Sequence, residues 1–135
     1  MFDELDRALG IDYNPNAWSD NVMFYVRDLI DRLSDDEWAH VEGVWKERPS
    51  PWQVRLAQAA FAATNGRTID LLRKMLTSPI VDVALAAAET LGEEAQDKRW
   101  MPDGAARSVL QMLLGRVDSD DRHMIEALLA YAPTS

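Results

Sequence analysis

Cysteine is absent from this chain. That excludes disulfide staples and thiolate chemistry, and it suits a reducing compartment. Long apolar runs are missing as well: none approaches the ~20 residues of a membrane span. The opening MFDELDRALG is acidic and lacks the basic-then-apolar order of a secretory leader, so none is expected. The six glycines are scattered, which leaves no phosphate-cradling loop, and no nucleophile motif is present. No segment sustains the period-two alternation of a half-buried strand, so no sheet is expected. These gaps predict an all-α, soluble, cytoplasmic protein, not an enzyme, with no cofactor.

The 135 residues fit a single domain, 1–135. At this length about 68% of the unfolded surface is buried on folding, enough for a core without staples. Net charge is −9 and uneven. Residues 1–48 hold 12 acids and 5 bases, whereas residues 49–135 hold 11 acids and 9 bases. Such a charge repels a nucleic-acid backbone and attracts a basic protein; it also serves plain solubility.

Helical spacing and end signals divide the chain. Phe2, Leu5 and Leu9 share one face of a short first helix, broken by Gly10 and Asn14-Pro15-Asn16. Ser19 is read as the cap of a second helix carrying Val22, Val26, Leu29, Ile30 and Leu33. Ser34-Asp35-Asp36-Glu37 is a capping box, and the third helix lines up Trp38, Val41, Val44 and Trp45 before Pro49 stops it. Ser50-Pro51 starts a fourth helix, which should end at Asn65-Gly66, and Thr68 opens a fifth. The stretch Ser78 to Gly92, SPIVDVALAAAETLG, is apolar almost all round. Its helix should therefore lie between neighbours, with Ser78 as cap and Gly92 as stop. Residues 93–104 look like a polar insertion. Helix returns over Ala105 to Leu114, and Asp118 or Ser119 caps a last helix running through Leu128 to Tyr131.

A repeat underlies these elements. Val54 to Ala60 (VRLAQAA) is echoed 29 positions later by Val83 onward (VALAAAETLG), each after a Ser-Pro turn. A period near thirty residues built from helix pairs marks an α-solenoid. Leu71-Leu72, Met75-Leu76, Ser78-Pro79 and Val83 to Gly92 resemble the second-helix signature of the HEAT-like repeat family. The resemblance is best over 34–92 and absent before residue 18. It implies an irregular HEAT-like α-solenoid of antiparallel helix pairs, about seven to eight helices in all, and commonly protein binding. The arginine usual after the valine is present as Arg55 but replaced by Ala84, so the polar ladder between repeats should be incomplete.

Candidate sites are few. Glu37-x-x-His40 has the carboxylate–histidine spacing of di-iron bundles, which need a second such pair. His123, the only other histidine, lacks one, and the capping box already accounts for Glu37. Asp118, Asp120 and Asp121 hint at calcium but lack the EF-hand glycine and distal glutamate; carboxylates also suit a helix start. Asp82 and Glu89 are read as the wet stripe of the buried helix in preference to an acid–base pair. Of five tryptophans, Trp18 and Trp100 fall in irregular segments. They are the candidate partner contacts, unless each plugs a loop onto the core. Lys98-Arg99-Trp100 is too short a basic patch to argue for nucleic acid.

In kind, though not in motif, the chain resembles small acidic bacterial immunity proteins, some of which are helical-repeat folds. That resemblance implies a protein partner, a basic toxin domain whose active site an acidic surface would occlude, with no nucleic acid and no membrane involved. Asp28, Asp31, Asp35, Asp36 and Glu42, with Trp18 or Trp100 as anchor, are the expected contact residues. A scaffold or regulatory adaptor is the competing expectation. Further alternatives are a small metal-dependent hydrolase and a DNA-binding protein like the alkylpurine glycosylase branch of the fold.

Overall fold

The computed structural model describes residues 2–11, 17–61, 66–96 and 102–130. Among them are eight α-helices and no strand. In chain order these are α1 (Phe2–Gly10), α2 (Met23–Asp31), α3 (Asp35–Val44), α4 (Ser50–Ala59), α5 (Gly66–Met75), α6 (Val81–Gln96), α7 (Gly104–Leu114) and α8 (Ser119–Leu129). A π-helical turn, Trp18–Val22, leads into α2, and a 3-10 turn, Trp45–Glu47, extends α3. No helix among the described residues is long and apolar enough to cross a membrane.

Local chemistry sets several of the starts. Ser34 Oγ accepts from the Glu37 amide at 3.2 Å, and Glu37 accepts in return from the Ser34 amide at 3.0 Å, so the capping box forms. Pro51 occupies the first turn of α4, where its missing N–H costs nothing. The Asp103 carboxylate caps α7 through the Ala106 amide at 2.8 Å. Asp118 caps α8 through the Asp121 amide at 3.1 Å, which gives that aspartate a structural task.

α6 is the hub. It packs against α4, α5, α7 and α8, and Val83, Ala84, Ala87, Ala88 and Leu91 are fully buried. The alanines let α4 come close enough for Thr90 Oγ1 to donate to the Ala57 carbonyl at 2.8 Å. One hollow is lined by Ser50 to Gln58 of α4 with Asp82 to Glu89 of α6, and the next by Gln58 and Phe61 with Glu89 to Glu93, so α4 and α6 run parallel. α5 carries the chain back from the end of α4 to the start of α6 and packs on α6. α1 rests on α2, α3 and α4. One continuous apolar cluster draws on all eight helices.

Several boundaries differ from the sequence reading. Ser19 does not cap: the chain is already helical at Ala17 and passes through the π-turn. Gly66 begins α5 instead of ending the helix before it, and Thr68 is buried inside that helix. Ser78 accepts from the Ile80 amide at 3.1 Å, but α6 proper starts at Val81. Gly92 does not stop α6, which continues to Gln96. Glu94 and Ala95 are buried there, extending the inner row of Ala84, Ala87 and Leu91. The supposed insertion is thus helix at its start and, at Pro102-Asp103, the lead into α7. Trp100 and Tyr131 lie outside the described residues.

Gly92 keeps a helical backbone, and a Cβ added there meets nothing within 4 Å. Glycine in a helix interior costs about 1 kcal/mol relative to alanine. Gly92→Ala should therefore raise the melting temperature by about 4 °C. A lowered melting temperature would mean that the helix does end at Gly92.

Candidate functional site

The glutamate–histidine pair on α3 is engaged inside the fold. Besides closing the capping box, Glu37 accepts from the Phe2 amide at 2.9 Å. One turn on, the His40 ring stacks on the Phe2 ring with centroids 4.0 Å apart and planes 23° from parallel. The spacing that suggested a metal instead clasps the start of α1. The Ser34 amide, the Ser34 hydroxyl and the Phe2 amide hold the Glu37 carboxylate in its charged form and lower its pKa from 4.5 to about 2. A depressed carboxylate adds stability above its unfolded pKa and loses it as the pH falls through the folded value. The stability difference between the wild type and Glu37→Gln should therefore be full above pH 4.5 and shrink toward pH 2. Parallel melting curves with a pH-independent gap would contradict this.

The expected partner residues fall into separate places. Asp28 and Asp31 on α2 both face Arg27, at 3.6 and 3.5 Å. Asp35, at the start of α3, pairs with Arg67 at 3.6 Å, with Asp36 exposed beside it. Glu42 lines a cleft of about 590 Å³ with α5 and α7. Two of the cleft's three cations are engaged by neighbouring carboxylates. Arg73 pairs with Asp103 at 2.5 Å and Asp70 at 4.0 Å, and Arg67 is held by Asp35.

Trp18 is 7% exposed, which corrects the picture of a projecting anchor. The π-turn brings this about: the Met23 amide bonds back five residues to the Trp18 carbonyl, and the widened turn rotates the indole inward. Trp18 Nε1 donates to Gln58 Oε1 at 2.8 Å. Arg55 lies over the ring at 5.9 Å while donating to the Leu9 and Ile11 carbonyls at the end of α1. The arginine that the repeat signature assigns to a ladder here caps a neighbouring helix.

Trp18 forms the waist of a surface groove along α4 and α6. On one side a hollow of about 480 Å³ is lined by Pro51, Val54, Arg55, Asp82, Leu85 and Ala86. On the other a hollow of about 260 Å³ is lined by Met23, Phe24, Phe61, Thr90 and Glu93. Trp18, Gln58 and Glu89 belong to both. Phe24 meets Phe61 edge-on at 5.6 Å and stays half exposed. Arg27 stands over Phe61 at 5.3 Å, so Asp28 and Asp31 flank this end. The α6 wall is acidic: Asp82, Glu89 and Glu93 occupy one row, with Arg55 the only cation among the described lining residues. Beyond Asp82 the negative field continues into α8. Asp121 has its pKa raised, first by desolvation and then by Asp118, Asp120 and Asp82.

In the sequence Asp82 and Glu89, with Glu93 just beyond, mark a narrow wet stripe on a buried helix; in the structure that stripe is one wall of the groove. The signal is their spacing: the exposed residues described on α6 are acids, at i, i+7 and i+11. Phe24 and Phe61 gave none, because their exposure depends on neighbours far away in sequence. No protein-family model, curated protein or solved structure matches the chain.

Proposed function

We propose that this protein is a protein-binding module for a basic partner domain, and that it acts as an immunity-type protein which covers a toxin's basic active site in the cytoplasm. The observation that carries the reading is the groove, where the Asp82, Glu89 and Glu93 row stands over a floor containing Trp18, Phe24 and Phe61. Aromatic area supplies binding energy once desolvated, while carboxylates steer a basic surface and select against acidic ones. On this reading the contact centres on α6, and of the first-third acids Asp28 and Asp31 stand at its edge. An irregular HEAT-like stack of antiparallel helix pairs is the architecture we propose for it. The parallel course of α4 and α6, with α5 returning the chain and packing on α6, supports that assignment.

The test is co-expression with the toxin domain encoded by a neighbouring gene. The wild type should protect the cells, and Asp82→Lys with Glu89→Lys should abolish protection while remaining folded. Association should slow as salt rises from about 0.01 to 0.15 M, because the Debye length falls from about 30 to about 8 Å. Cell death despite folded wild-type protein would eliminate the immunity role. Binding to an endogenous basic protein through the same residues would then favour an adaptor.

A further inference from the structure

We infer that the groove between α4 and α6 receives a single amphipathic α-helix of its partner, with apolar residues against the Trp18 waist and lysines or arginines along the edge facing α6. The inference rests on the protein-binding reading and specifies the form of the ligand.

Three observations carry it. The first concerns the walls. Both are α-helices, whose interior backbone amides and carbonyls are already bonded within each helix. Strand addition, which supplies main-chain partners to an extended peptide, has no strand edge to use among the described residues. A helix needs no such partner, because it satisfies its own interior backbone groups. The second is length. Asp82 and Glu93 are eleven positions apart on one helix, about 17 Å at 1.5 Å per residue, or about three turns. A docked helix of three to four turns spans that row, and its side chains seat between parallel helices as ridges in a groove.

The third is the sidedness of the charge. Asp82, Glu89 and Glu93 all belong to α6, whereas the α4 wall offers Ser50, Pro51, Val54 and Gln58. Arg55, the one cation on that wall, bonds to the carbonyls of Leu9 and Ile11. Asp82 and Glu89 have no ion-pair partner among the described residues. The complementary ligand is therefore basic along one flank and neutral on the other, with an apolar ridge between. That is the side-chain pattern of an amphipathic helix carrying cations at i and i+7, opposite Asp82 and Glu89.

The probes are synthetic peptides of about 18 residues, long enough to form helix on their own. One has a leucine ridge with lysines on a single flank. A second has the same composition with two central prolines, and a third carries glutamates in place of the lysines. Each is titrated into the full chain, and the Trp18 indole N–H resonance, assigned through Trp18→Phe, is followed by NMR. The lysine helix should shift that resonance and bind at least about tenfold more tightly than either control. Leu85→Arg, on the groove wall, should weaken it to a similar degree. Equal binding of the proline peptide, or unchanged binding to Leu85→Arg, would overturn the helix proposal. Competition separates this inference from the reading beneath it. If Asp82→Lys with Glu89→Lys abolishes binding of the toxin domain but the lysine helix never displaces that domain, the groove is the site and its ligand is not a helix. If the toxin domain ignores those substitutions, both fall.

Discussion

Ala87→Asp should unfold most of the protein at neutral pH. Ala87 is fully buried near the middle of α6, and α6 is packed by four other helices. A carboxylate there has no room to reach water. It must stay charged in an apolar setting, take up a proton, or force α6 away from its neighbours. Each route costs several kcal/mol; we expect about 4 or more. Domains of this kind have about 5–15 kcal/mol in total, so little would remain. The acid's pKa would be raised in the folded state. The defect should therefore be greatest at neutral pH and ease as the pH falls below that raised value. Ala87→Gly is the control and should lose about 1 kcal/mol through helix propensity. Chemical denaturation resolves the difference easily. An Ala87→Asp protein as stable as Ala87→Gly would show that α6 is not the hub.

Trp38→Ala is the second large loss. Trp38 is 2% exposed and heads the residues whose side chains are fully buried. Removing a buried indole costs about 3–5 kcal/mol, since the cavity collapses only in part. Trp38 also has an unusual feature: its indole N–H is buried without an acceptor among the described residues. An unmade hydrogen bond of this kind is worth about 1–3 kcal/mol against the folded state. Trp38→Phe deletes that N–H together with part of the ring, so the two effects oppose. Its loss should be under about 1.5 kcal/mol, far from that of alanine. Equal losses for Phe and Ala would mean that the N–H does bond, through an ordered water.

These two substitutions also mark what could be read from the chain alone. The central helix was legible because its apolar character is a property of consecutive residues. The capping box at Ser34 and the cap at Asp118 were legible because donor and acceptor are three residues apart. Gly92 was misread because glycine ends a helix only where the next residues lack a partner surface. Here Glu94 and Ala95 are buried and keep the helix going. Ser19 was misread because a π-turn carries no side-chain signal as plain as a cap. The groove was hidden for a different reason. It unites Trp18, Gln58 and Glu89, residues tens of positions apart, and its existence depends on α4 and α6 lying parallel. Glu37 and His40 carried a chemical motif that the fold spends on holding Phe2.

That clasp has a bearing on the order in which the chain assembles. Phe2 is held by Glu37 and His40, Asp6 by Arg48 and Trp52, and Leu9 by Arg55. Every one of these contacts closes a loop of some 35 to 46 residues. Loop-closure entropy must be overcome before such contacts return anything. α1 is too short to persist as an isolated helix, and the surface that receives it exists only once α2, α3 and α4 are in place. α1 is thus among the last helices to find its place, and it completes this domain instead of starting it.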